Sequence, residues 1–240
     1  MPSGQTATTG LSVGILIIGS LYWDETHGRT KWRRKRLQAG HEWLVRAPIR
    51  YRRRSDSRKN TYTIVFDQLS EAQIGTAKAV QCQRSILTSA DLIAEAEWLW
   101  AAERKQVPCL SNSPEQIISA GWGCVALLYN PQSHIPAEIV EGWAQRVARE
   151  DAAHNKHLVG ARGLLQIPWP NLLQGAPIGL DLLLATSTNP KPRNHYPDAT
   201  LLASAWLDAN DASYFRRNRD NGIHTFQDEE IEQQLARPRP

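Results

Sequence analysis

The segment Ile15-Leu-Ile-Ile-Gly-Ser-Leu-Tyr-Trp23 has the composition of an apolar strand that runs straight into a small-residue turn. Where the chain turns at Gly19 and Ser20, backbone N–H groups leave the sheet ladder. Such groups can hold a carboxylate or the oxyanion of an acyl-transfer intermediate. A plain β-turn after a first core strand would read the same way. Acids that can move a proton are concentrated further on, where Glu95, Glu97 and Glu103 follow the helical pattern Leu92, Ala96, Leu99, Trp100. At 100° per residue Glu103 shares the apolar face, and Glu95 and Glu97 flank it. A carboxyl on a core face is costly unless it is paired or functional, so this geometry favours Glu103. If the helix stopped near Ala102, Glu103 would instead pair in solvent with Arg104 or Lys105.

Two other groups carry chemical potential. Glu150, His154 and His157 recur at i, i+4 and i+7 behind Ile139, Trp143 and Val147. On one helix face they would form a proton relay or part of a metal site, but no fourth ligand follows and no metal is assigned. Between Arg29 and Lys59 stand thirteen Lys/Arg against two acids, Glu42 and Asp56. The rest of the chain holds fifteen basic and twenty-two acidic residues, so the net charge of +4 conceals a basic block on an acidic body. With Trp32, Trp43 and Tyr51 interleaved, the block would suit phosphate pairing and base stacking on nucleic acid, or the rim of a cleft for a small anion. A solvated face would look alike. The run Arg216-Arg217-Asn218-Arg219 beside the acids from Asp228 to Glu232 reads as solvated surface or a self-association contact.

The elements that must position these residues follow from periodicity. Ser12 to Leu21 reads as a strand buried on both faces. Lys31 to Leu37 reads as a short basic helix. Leu44 to Tyr51 alternates, with Val45, Ala47, Ile49 and Tyr51 inward and Arg46, Arg50 and Arg52 outward, and Pro48 places it at an edge. Thr61 to Phe66 pairs with it as the second strand of a hairpin, and Gly75 to Cys82 is a further strand. Thr88 with Asp91 opens a helix that runs to about Lys105, before Pro108. Trp122 to Tyr129, Leu164 to Ile167 and Leu180 to Ala185 read as strands. Pro136 opens a helix, and Ala199 to Leu207 and Asp228 to Leu235 are helical. Strands and helices mix without regular βαβ alternation, so the expected class is α+β, as one domain over 11–235 with a polar segment 1–10 and a tail 236–240.

Composition narrows the setting. Of 240 residues 41% are apolar and 22% charged, which is globular usage. Cys82, Cys109 and Cys124 are odd in number and widely spaced, which points away from a disulfide framework and toward a reducing compartment. The apolar run from Val13 is too short to span a membrane, and residues 1–10 lack a basic leader pattern, so a cytoplasmic location is expected. Neither a G-x-G-x-x-G nor a P-loop is present, and no cofactor is assigned.

The stretch Gly19-Ser20-Leu21-Tyr22-Trp23 resembles the Gly-Ser-Leu-x-Trp segment of the γ-glutamylcyclotransferase-like superfamily, above all its glutathione-degrading branch. The similarity continues through an arginine-rich strand, Val45 to Tyr51, a second hairpin strand, the Gly75 strand and an acidic helix, over about the first 105 residues. The family usually has Tyr where this chain has Ile18. The resemblance implies a barrel-like, mostly antiparallel mixed sheet with flanking helices. It also implies an enzyme that cyclises a γ-glutamyl or related small amide by attack of the substrate's own α-amine. Gly19, Ser20, Leu21 and Tyr22 would hold the substrate, and Arg50 or Arg52 would attract its carboxylates. One partly buried glutamate would serve as base and then acid. Family spacing favours Glu97 for that role, the helical argument Glu103, and both stay open. The alternative is a non-catalytic nucleic-acid-binding or interaction protein that uses block 29–59.

Overall fold

A computed structural model describes residues 10–106 and 117–237. The segment 1–9, Pro108, Cys109 and the end of the tail, 238–240, lie outside the described residues. The α+β class holds: six strands form one sheet and helices cover it. The strands are β1 (Val13–Ile17), β2 (Leu37–Ala47), β5 (Gly75–Cys82), β6 (Ser119–Ala120), β7 (Gly123–Tyr129) and β8 (Leu182–Thr188), in the order β2-β5-β1-β8-β7-β6. All neighbours are antiparallel except the central pair, β1 with β8. Two further strands, β3 (Ile49–Ser55) and β4 (Thr61–Phe66), make a separate antiparallel ribbon. The sheet is therefore open and not closed into a barrel: β2 and β6 stay at opposite edges, and the ribbon packs over one face without joining the ladder.

Both faces of the sheet are covered, which explains the unbroken apolar run of β1. Val13, Ile15 and Ile17 pack into one core with α1 (His27–Arg36), α2 (Ser89–Glu103) and α3 (Ala137–Arg149), centred on Trp32, Trp100 and Trp143. Leu16 points into the other core, with the β3–β4 ribbon and the helices α4 (Ala199–Asp208), α5 (Ser213–Asp220) and α6 (Asp228–Ala236). There Tyr51 meets Trp206 edge-on at 5.0 Å and Trp206 stacks on Phe215 at 5.3 Å. The expected capping box is complete: Thr88 accepts from the Asp91 amide, and Asp91 accepts from the Thr88 amide at 2.8 Å.

Four expectations are corrected. Leu44 to Tyr51 is two strands, because Pro48 has no N–H for the ladder and the chain leaves the sheet there for the ribbon. Its inward residues are buried as expected, but Arg52 is buried too, since a register shift between Tyr51 and Arg53 breaks the alternation. Leu164 to Ile167 forms only isolated bridges. The run Arg216 to Arg219, read as solvated surface, keeps Arg216 and Arg217 exposed but lies on a helix, Ser213–Asp220, that buries Asn218 with Tyr214 and Phe215. Among the described residues no helix is long and apolar enough to cross a membrane.

Candidate functional site

Because β1 and β8 are parallel, their carboxyl ends open at the same edge of the sheet, where open α/β and α+β sheets place ligands. A cleft of about 410 Å³ lies there. Its floor is the turn after β1, Gly19, Ser20 and Leu21, with Thr186 and Thr188 of β8 beside it. One wall is the end of α2, carrying Glu103 and then Lys105. The opposite wall is the tip of the ribbon, with Arg53 and Arg58, and Tyr214 of α5 closes the back.

The turn uses only some of its amides. Tyr22 N–H donates to Gly19 C=O at 3.1 Å and Asp24 N–H to Ser20 C=O at 2.8 Å. Among the described residues none accepts from the amides of Gly19, Ser20 or Leu21. The turn and the acid are tied together by one buried side chain, Arg29 of α1. Its guanidinium donates to the Ser20 hydroxyl at 2.7 Å, to Asp24 at 2.9 Å, and to the carbonyls of Ala102 and Glu103 at 3.2 and 3.4 Å. Its remaining approach is to the Glu103 carboxylate, at 3.9 Å. Arg29 thus satisfies carbonyls at the open end of α2 while fixing Glu103 against the turn. Gly28 permits this, since a Cβ there would stand 2.6 Å from the Gln106 carbonyl.

The helical-face argument placed Glu103 on the apolar face of α2; in the structure Glu103 is partly buried and lines the same cleft as Gly19, Ser20 and Leu21. Glu97 faces the other way, toward Arg146 of α3 at 3.4 Å. Glu95 is buried against Arg36, and burial pushes its carboxyl above the usual range despite that partner. Tyr22 turns outward and donates to Glu42 at 2.8 Å. Arg50 and Arg52 are not at the cleft. Arg52 is committed to both oxygens of Asp67, at 3.0 and 3.1 Å, and lies 3.7 Å from the centre of the Tyr196 ring, while Arg50 sits over Tyr196 and Phe226.

The cations that do face the cleft, Arg29, Arg53, Arg58 and Lys105, were not among the substrate-binding residues expected from sequence. Lys105 is paired with Asp24 at 3.6 Å, and Asp56 is neutralised by Lys191 at 2.8 Å. Arg53 donates to the Asn189 carbonyl at 2.7 Å, and Arg58 lies 4.6 Å over the Tyr214 ring. Neither guanidinium has a described carboxylate within 4 Å. An anionic ligand would complete both.

The other sequence-derived groupings separate. α3 ends at Arg149, so Glu150, His154 and His157 do not share a face. Glu150 accepts from the Ile118 amide at 3.0 Å, His154 is exposed near Asp151, and His157 approaches Asp67 at 3.4 Å. Among the described residues no cluster of three potential metal ligands occurs. Trp32 and Tyr51, interleaved in the basic block, are completely buried and offer no stacking surface. Cys82 and Cys124 are buried free thiols.

Asp24 titrates low. Burial pushes its carboxyl up, but the Thr26 amide and the charges of Arg29 and Lys105 outweigh that and hold it below the ordinary value. A carboxyl whose pKa is depressed by folding stabilises above its unfolded pKa and loses that contribution as pH falls through the folded one. The thermal midpoint is therefore expected to fall on acidification below about pH 4. In Asp24→Asn the midpoint is lower at neutral pH and its acid slope is shallower. An unchanged slope would remove this assignment.

No family model, no curated protein and no solved structure matches this chain.

Proposed function

We propose that this chain is a cyclotransferase-like enzyme acting on a γ-glutamyl or similarly built small anionic amide. The observation that carries the reading is the carboxyl of Glu103 in one cleft with the turn Gly19, Ser20 and Leu21, whose amides have no acceptor among the described residues. The chemistry requires no protein nucleophile. Glu103 takes a proton from the substrate's α-ammonium, and the freed nitrogen attacks the γ-carbonyl carbon. The new C–N bond pushes the carbonyl electrons onto oxygen, where the turn amides meet the charge. Glu103 gives its proton to the departing nitrogen as the old C–N bond breaks, and removes the second proton from the ring nitrogen. The products are 5-oxoproline and the free amine, and the second proton leaves with that amine. Glu103 ends as the carboxylate it began as.

Arg53 and Arg58 give the anionic part of such a substrate its counter-charges. Arg53, half-buried and within the electrostatic reach of Glu103, suits the α-carboxylate that lies one carbon from the attacking nitrogen. The test is 5-oxoproline release from a panel of γ-glutamyl amides, read by chromatography. Release is expected, and a chain inert across the panel ends this reading. The alternative, nucleic-acid binding through block 29–59, is the weaker one, because two of its three aromatic residues, Trp32 and Tyr51, are in the core and only Trp43 is partly exposed.

A further inference from the structure

Among the polar groups of the cleft that the reaction above leaves unused is the hydroxyl of Tyr214. It arrives on α5, from the far end of the chain, and stands directly over the turn: a Cβ placed on Gly19 would lie 2.5 Å from its oxygen. Ile18, just before the turn, brings no hydroxyl to this place. The phenol is aimed by its surroundings. Its ring meets Trp23 edge-on at 5.8 Å and Tyr51 at 6.4 Å, and the Arg58 guanidinium lies 4.6 Å over it. Its oxygen accepts from the Ile64 amide at 3.4 Å on the ribbon side. Asn218, one turn along α5, is held by the Trp23 indole, which donates to its Oδ1 at 2.7 Å, and its amide side chain approaches the same phenol oxygen. One donor, the Ile64 amide, therefore occupies the back of the oxygen, and among the described residues none accepts its own hydrogen.

We infer that Tyr214 is a further catalytic residue of the proposed reaction, its hydroxyl donating a hydrogen bond to the oxyanion that forms over Gly19. The assignment rests on the cyclotransferase reading. No proton is transferred: the O–H stays intact while the γ-carbonyl oxygen gains and then returns its charge. Burial pushes the phenol's pKa up, with the Arg58 charge opposing, so the group keeps its hydrogen at neutral pH and remains a donor. Gly19 is then required for a second reason besides the turn, since any side chain there would occupy the gap between phenol and oxyanion.

The test is a rate and stability cycle over Gly19 and Tyr214 on the full chain. Tyr214→Phe removes one atom, keeps the ring contacts and is expected to lower kcat about 100-fold with KM within about threefold, the scale of one lost oxyanion donor. Gly19→Ala, which drives a methyl into the phenol, is expected to lower both kcat, by at least about 10-fold, and the thermal midpoint. In the Tyr214→Phe background the same substitution costs little of either, because the opposing oxygen is gone. If Tyr214→Phe does not fold, Gly19→Ala alone decides: a rate within twofold of wild type overturns the assignment. A folded Tyr214→Phe within threefold of wild-type kcat also overturns it, while the cyclotransferase reading survives. A wild-type chain inert on the γ-glutamyl panel ends both.

Discussion

Glu103→Gln is expected to reduce 5-oxoproline release by about two to four orders of magnitude, the usual worth of a positioned acid/base, with the thermal midpoint within a few degrees of wild type. The amide is nearly isosteric and Arg29 still donates to the backbone carbonyls of residues 102 and 103, so the end of α2 stays in place while the proton carrier is lost. The loss should fall in kcat, with KM close to unchanged, because the counter-charges for the substrate, Arg53 and Arg58, are on the opposite wall. Glu97→Gln, on the α3 side of the same helix, is the control and should retain activity. If Glu97→Gln is dead and Glu103→Gln active, the roles assigned from geometry are reversed and the family spacing was the better guide.

Arg29→Met should be the most destabilising single change at the site. The arginine is 3% exposed and serves the Ser20 hydroxyl, the Asp24 carboxylate and two carbonyls at the end of α2. Removing it leaves the mostly buried Asp24 carboxylate only Lys105, at 3.6 Å, as counter-charge and takes a donor from the Ser20 hydroxyl and the Glu103 carbonyl, at a cost of about 3 kcal/mol. For a chain of this size that is a fall in thermal midpoint on the order of 6–12 °C. Arg29→Lys keeps the charge but cannot serve four acceptors at once, so it should recover only part of the loss and little of the activity. Denaturant unfolding of the three proteins decides it. Equal stability would mean that the guanidinium contributes nothing beyond its desolvation cost.

Much of this site was legible locally. The unbroken aliphatic run of β1 announced a strand covered on both faces, the Thr88–Asp91 pair fixed the start of α2, and counting 100° steps from Leu92 put Glu103 on the inner side. Each inference used residues within one or two turns of each other. The arginines failed for a local reason that sequence hides: the irregularity between Tyr51 and Arg53 rotates the strand, so Arg52 goes inward to Asp67 while Arg53 reaches the cleft. His154 and His157 failed because α3 stops at Arg149 and the extrapolated face does not exist. Tyr214 gave no signal, since its meaning lies in a contact with a turn near the other end of the chain. The mostly antiparallel mixed sheet implied by resemblance is present, but its barrel-like part is not: at Pro48 the chain leaves the ladder and the ribbon becomes a separate layer.

That separate layer divides the labour of the cleft. The acid and the turn belong to α2 and β1, woven into the main sheet, while Arg58 belongs to a short connection, Asp56–Arg58, at the ribbon's tip, followed by Lys59 and Asn60 in left-handed conformation. Exposed tips accept altered length cheaply, because closing a somewhat longer loop costs little entropy. On the proposed function, selectivity is thus interchangeable: a grafted tip of different charge would redirect the chain to a new amide without retooling the acid on α2 or the turn after β1.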